Sequence, residues 1–149
     1  MRVDVRKTYK LFIGGQFPRS ESGRSYELLD AKGSFLANPA LASRKDLRDA
    51  VVAARAASEK WASSSAFNRS QILYRVAEVM EGRREQFVSE VMAQEGVTKA
   101  QAIKQVDAAI DLWVWYAGWC DKIPTIFGST NPVSGSFYNF TTPEPVGVV

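Results

Sequence analysis

The sequence contains no histidine and a single cysteine, Cys120, in 149 residues. Without histidine there is no Ser-His-Asp or Cys-His catalytic pair and no imidazole-ligated zinc. One cysteine forms neither an internal disulfide nor a CxxC redox motif. No apolar run reaches the ~18 residues a membrane-spanning helix needs. The opening MRVDVRKTYK has no apolar centre of the secretory kind. Cysteine poverty and this N-terminus together point to a reducing, cytoplasmic setting, with no membrane partner.

Composition is that of a globular chain, with 46% hydrophobic and 23% charged residues. A chain of this length hides roughly two thirds of its unfolded surface as one domain. The net charge of +3 is uneven. Residues 1–25 hold Arg2, Arg6, Lys7, Lys10, Arg19 and Arg24 against Asp4 and Glu21. A nucleic-acid binder needs a broader basic surface, so this segment reads as a solvated edge and no nucleic-acid partner is expected.

The first third reads as strands. Gly14-Gly15, between Tyr9–Ile13 and Gln16-Phe17, suits a two-residue hairpin turn. Tyr26–Leu29, a turn at Asp30–Gly33 and Phe35–Ala37 follow. The middle reads as helices. Ser43 with Asp46 resembles a capping box, ahead of a face of Leu47, Ala50, Val51, Ala54, Ser58 and Trp61. A second helix starts near Asn68 with Ile72, Leu73, Val76 and Met80 inward. Gly82 interrupts it, and Phe87, Val88, Val91 and Met92 continue the stripe. Gly96 suits a C-cap and Thr98 an N-cap. In the last helix Ile103, Val106, Ile110, Trp113, Ala117 and Cys120 share one arc. Leu112, Trp115, Tyr116 and Trp119 fill a second.

The tail differs in kind. Residues 123–149 carry one charge, Glu144, and four of the six prolines. Ser136–Thr142 is β-branched and aromatic, and Val146–Val149 reads as the start of a further strand with the chain ending inside it.

Chemistry is hard to find. Cys120 lies at a helix C-terminus, the wrong end of the dipole for a thiolate, and reads as a small core residue. Asp107 and Asp111 could share a cation, but read as solvating an outer face. Glu78, Glu81 and Glu85 with Arg75, Arg83 and Arg84 form a surface charge lattice. Gly14-Gly15 precedes a strand rather than a helix and is no phosphate loop. The aromatics are more telling. Each can bury ~150–250 Å², up to roughly 5 kcal/mol apiece at the upper bound. The second face of the last helix therefore needs the terminal strands, more chain or a partner to cover it.

An ordered series of segments resembles the aldehyde dehydrogenase superfamily. It comprises LFIGGQF (Leu11–Phe17), Asn38-Pro39, AVVAARAASEKW (Ala50–Trp61), NRSQILYRVAEVME (Asn68–Glu81), WYAGWCDKI (Trp115–Ile123) and PEPVGVV (Pro143–Val149). Val5–Glu27 is also similar to a bacterial branch that includes shortened or doubled copies.

The resemblance implies an α/β aldehyde dehydrogenase-like fold. In this chain it would be mainly helical, with N-terminal β-hairpins and C-terminal oligomerisation strands. Residues 1–135 would be the N-terminal part of an NAD(P)-binding domain, and residues 136–149 the start of an oligomerisation arm. Ala108, Leu112 and Trp115 would match the substrate-tunnel wall. Phe137, Tyr138, Asn139, Phe140, Thr141, Val146 and Val148 would match the arm that pairs with another subunit.

The implied chemistry is oxidation of an aldehyde to a carboxylic acid with NAD or NADP, through a cysteine thiolate and a glutamate-activated water. The family's catalytic cysteine, glutamate, glycine motif and proline-tryptophan-asparagine stretch come later than these segments. Cys120 does not match the catalytic motif. The expectation is therefore an N-terminal segment with no catalytic, cofactor-binding or metal residues, inactive alone, whose partners are aldehyde dehydrogenase-like subunits. The alternative is a non-catalytic short paralogue that docks onto a complete subunit.

Overall fold

The structure is a computed structural model that describes residues 8–149. Arg2, Asp4, Arg6 and Lys7, counted in the basic segment above, lie outside the described residues.

Three short strands form the first layer: β1 (Thr8–Tyr9), β2 (Leu28–Leu29) and β3 (Phe35–Pro39). β3 is central, parallel to β1 and antiparallel to β2. The glycine hairpin forms as expected. Ile13 and Gln16 exchange both backbone hydrogen bonds at 3.0 Å around Gly14 and Gly15. Both glycines have positive φ, +58° and +78°, as such a turn demands. The run Tyr9–Ile13 is not one strand, however. Tyr9 belongs to β1, and only Ile13 bridges to Gln16. Likewise Tyr26–Leu29 contracts to β2.

The helices are α1 (Arg44–Ser63), α2 (Ala66–Gly82), α3 (Arg84–Glu95) and α4 (Lys99–Trp119), then a short α5 (Ile123–Phe127). Both capping boxes close, Ser43 with Asp46 and Thr98 with Gln101. Gly96 caps α3 in the left-handed region at φ +67°. It also abuts Ala31 of the β2–β3 turn, so a Cβ there has no room. α2, α3 and α4 enclose the core of Ala77, Val88, Ala102, Val106 and Ile110, flanked by Met80, Val91, Met92, Val97 and Ile103.

Several expected faces point elsewhere. Ile72 of α2 faces outward and Ala77 takes the buried place. Phe87 and Trp113 are more exposed than a core reading implies. On α1, Leu47 is 65% and Trp61 43% exposed. That helix stands largely apart from the three-helix body. Its N-terminus is held by the Ser20–Glu21 turn and Ala53 faces the Gly14 turn, while Leu47, Val51 and Trp61 remain exposed.

The tail forms one hairpin. β4 (Ser129–Asn131) pairs antiparallel with β5 (Asn139–Thr141). β4 is not anticipated by the sequence reading, and the hairpin straddles the expected division at residue 135. Val146–Val149 is not a strand. A ladder needs a neighbour, and no described segment lies beside it.

Surface area gives these details a scale. A folded monomer of 16.5 kDa exposes roughly 7,500 Å². This chain exposes 12100 Å².

Candidate functional site

α4 carries the site. It starts at the Thr98 cap and keeps Ala102, Val106, Ile110 and Ala117 inward at helical spacing. The same spacing stacks Ala108, Leu112, Trp115 and Trp119 along another face. Leu112 is 55% and Trp115 61% exposed. Trp115 and Trp119 lie 6.1 Å apart between ring centroids, tilted by 58°. The geometry thus brings the three expected tunnel-wall residues onto one stripe. The terminal strands do not cover it. Beside the stripe, Leu73 of α2 joins Ala109, Leu112, Trp113 and Tyr116 around a shallow groove of about 350 Å³.

A polar pocket of about 430 Å³ lies between α2, α3 and α4, lined by Glu81, Arg84, Asp107, Ile110 and Asp111. Arg84 on α3 donates to both oxygens of Asp107 on α4, Nε–H to Oδ1 at 2.6 Å and Nη2–H to Oδ2 at 2.8 Å. Hydrogen bonding from Arg84 lowers the Asp107 pKa, and Asp107 in turn raises that of Arg84. This corrects two expectations. Asp107 is not simply a solvated outer carboxylate, and Arg84 belongs to an interhelical pair rather than only to a surface lattice. Arg75 and Glu78 do pair within α2, at 2.7 Å. Among the described residues no group of three or more His, Cys, Asp or Glu side chains is placed to hold a metal ion.

Asp46 is the one buried carboxylate among the described residues. It accepts the Ser43 backbone N–H at 2.8 Å, the Ser20 hydroxyl at 2.7 Å and the Glu21 N–H at 3.2 Å. The Ser43 backbone bond, then the Ser20 bond, lower its pKa to about 2. Asp46 pins the 20–23 turn to α1. This is a structural role that the local capping pattern only half reveals, because Ser20 is 26 residues away.

Cys120 is the C-cap residue of α4, and its thiol donates to the Tyr116 carbonyl at 3.6 Å. Gly14 and Gly15 turn a hairpin rather than opening a helix.

In the tail hairpin the Ser129 and Thr141 hydroxyls lie 2.8 Å apart, and the Asn131 amide donates to Asn139 at 3.1 Å. Tyr138 and Phe140 touch at 5.4 Å between centroids, both well exposed, and Phe137 is exposed too. Of the expected arm residues, Asn139, Phe140 and Thr141 form β5. Phe137 and Tyr138 precede it, and Val146 and Val148 lie outside it.

A strand layer leading into packed helices, one of them with an uncovered aromatic face, is an α/β arrangement rather than a closed helical bundle. Residues 18–149 match the aldehyde dehydrogenase family, and the chain belongs to that family. It is 36% identical over 152 residues to the cytosolic 10-formyltetrahydrofolate dehydrogenase of Pongo abelii, across 97% of this chain and 16% of that protein. Its fold is similar to a salicylaldehyde dehydrogenase from Pseudomonas putida G7, with a TM-score of 0.87 and 28% identity. That match covers 95% of this chain and 29% of the other. It is also similar to an NAD-dependent benzaldehyde dehydrogenase from Corynebacterium glutamicum. There the TM-score is 0.78 at 29% identity, covering 85% of this chain and 27% of the other. The chain thus spans well under a third of these relatives.

Proposed function

We propose that this chain is the N-terminal segment of an NAD(P)-dependent aldehyde dehydrogenase and is not catalytic by itself. Residues 1–135 contribute the outer helical part of the cofactor domain. Residues 136–149 begin the arm that pairs with another aldehyde dehydrogenase-like subunit in the cytoplasm. Ala108, Leu112 and Trp115 form one wall of the substrate tunnel. In the complete enzyme the hydride acceptor would be bound NAD or NADP. This chain's own contribution is an apolar, water-excluding wall along α4.

The observation that carries this reading is the exposed surface. It exceeds that of a folded monomer of this mass by more than half. Large apolar side chains on α1, α4 and the tail hairpin contribute to it, as do others on α2, α5 and the N-terminal layer. A segment that belongs under further chain leaves such faces bare.

The genomic sequence past codon 149 tests it. Continuation into a proline-tryptophan-asparagine stretch and a later catalytic cysteine is expected. A stop codon there, with a complete subunit encoded nearby, would instead support a non-catalytic docking subunit.

A further inference from the structure

We propose that Arg84 is a positioning residue: its bidentate grip on Asp107 sets the rotation of α4 about its axis, and so the aim of Leu112 and Trp115. The inference rests on the reading of that stripe as a substrate-tunnel wall.

The argument starts from what the core leaves undecided. α4 meets α2 and α3 through Ala102, Val106, Ile110 and Ala117, against Ala77 and Val88. Half of these six, Ala77, Ala102 and Ala117, are alanines. An apolar contact is non-directional, and small side chains give a shallow set of ridges and grooves. Such an interface fixes the distance between helices better than the roll of one upon another. A planar guanidinium gripping a carboxylate at two points is directional.

The grip is made at 2.6 and 2.8 Å, from a different helix, at the residue immediately before Ala108. Arg84 itself is set close to the α2–α3 junction at Arg83, and its side chain is only 27% exposed. Asp107 is 43% exposed, so the pair adds little to stability. Its effect is geometric. A roll of α4 by a fraction of a turn swings the long Trp115 and Trp119 side chains further than any backbone atom.

The four tryptophans supply the test, because three are on α4 and Trp61 is on α1, away from the pair. In the fluorotryptophan-labelled chain, Arg84→Lys keeps the charge but loses the fork, and Arg84→Met loses both. Asp107→Asn removes the charge at nearly constant shape. Each is expected to shift the fluorine resonances of Trp113, Trp115 and Trp119, leave Trp61 in place and keep a cooperative melt. Unmoved α4 resonances overturn the proposal. So does a joint shift of all four with loss of cooperative melting, which marks a merely structural contact.

In the enzyme encoded by the complete reading frame, the Arg84→Lys change is expected to raise KM for the aldehyde about tenfold with kcat little changed. Shifted resonances with an unchanged KM leave the positioning role standing, and overturn the tunnel-wall reading instead.

Discussion

Asp46 joins two segments that lie far apart in sequence. It closes the α1 capping box and ties down the turn at Ser20 and Glu21. Its pKa is lowered from the ordinary 3.8 to about 2. The unfolded chain binds more protons in that interval, so stability rises with pH across it. The stabilisation is full above about pH 4 and is lost as pH falls toward 2. Urea midpoints measured across that range should fall more steeply in the native chain than in Asp46→Asn. Equal slopes would remove Asp46 from the account. Ser43→Ala, which deletes the reciprocal cap, should cost about 1 kcal/mol by the same measurement. Gly96→Ala should cost at least about 1 kcal/mol, because it forces a positive φ on alanine and drives its Cβ into Ala31.

On α4, two faces of one helix should answer substitution in opposite ways. Ile110 is 7% exposed within the core, and Ile110→Ala should destabilise by roughly 2–5 kcal/mol. Trp115→Gln and Leu112→Gln fall on the bare stripe. They should leave the melting temperature nearly unchanged and reduce self-association in sedimentation velocity. Falling stability in both variants would mean that the stripe is already packed.

Legibility followed the same division. Where a signal is local, the sequence carries it: the Ser43 and Thr98 caps, the Gly14-Gly15 turn and the Gly96 cap all stand where their side chains require. Where burial depends on a neighbour, it does not. Leu47, Val51 and Trp61 fit an inward face by period, yet no described segment covers them. Val146–Val149 has strand-forming residues without a strand beside it. The Arg84–Asp107 pair spans 23 residues and two helices, so no local pattern marks it.

At the scale of the molecule, the exposed surface supports the proposed reading of this chain as part of a domain. The excess over a monomer of equal mass is several times the ~800 Å² that one side of an ordinary protein interface buries. A single docking event of ordinary size would not cover it, which weighs toward the proposed enzyme segment over a docking subunit. The absence of histidine, which excludes so many hydrolases, does not weigh against the proposed function, whose thiolate and glutamate chemistry needs none. Cys120 is informative for its position, capping α4 with its thiol bonded to the Tyr116 carbonyl.

The most direct measurement is nicotinamide reduction by the purified 149-residue chain. It is made free of host dehydrogenases, with NAD and NADP offered separately and aliphatic and aromatic aldehydes as substrates. The account predicts no turnover above the protein-free blank with either cofactor. Sustained aldehyde-dependent reduction that persists through further purification would contradict it, and would place a complete active site within these residues.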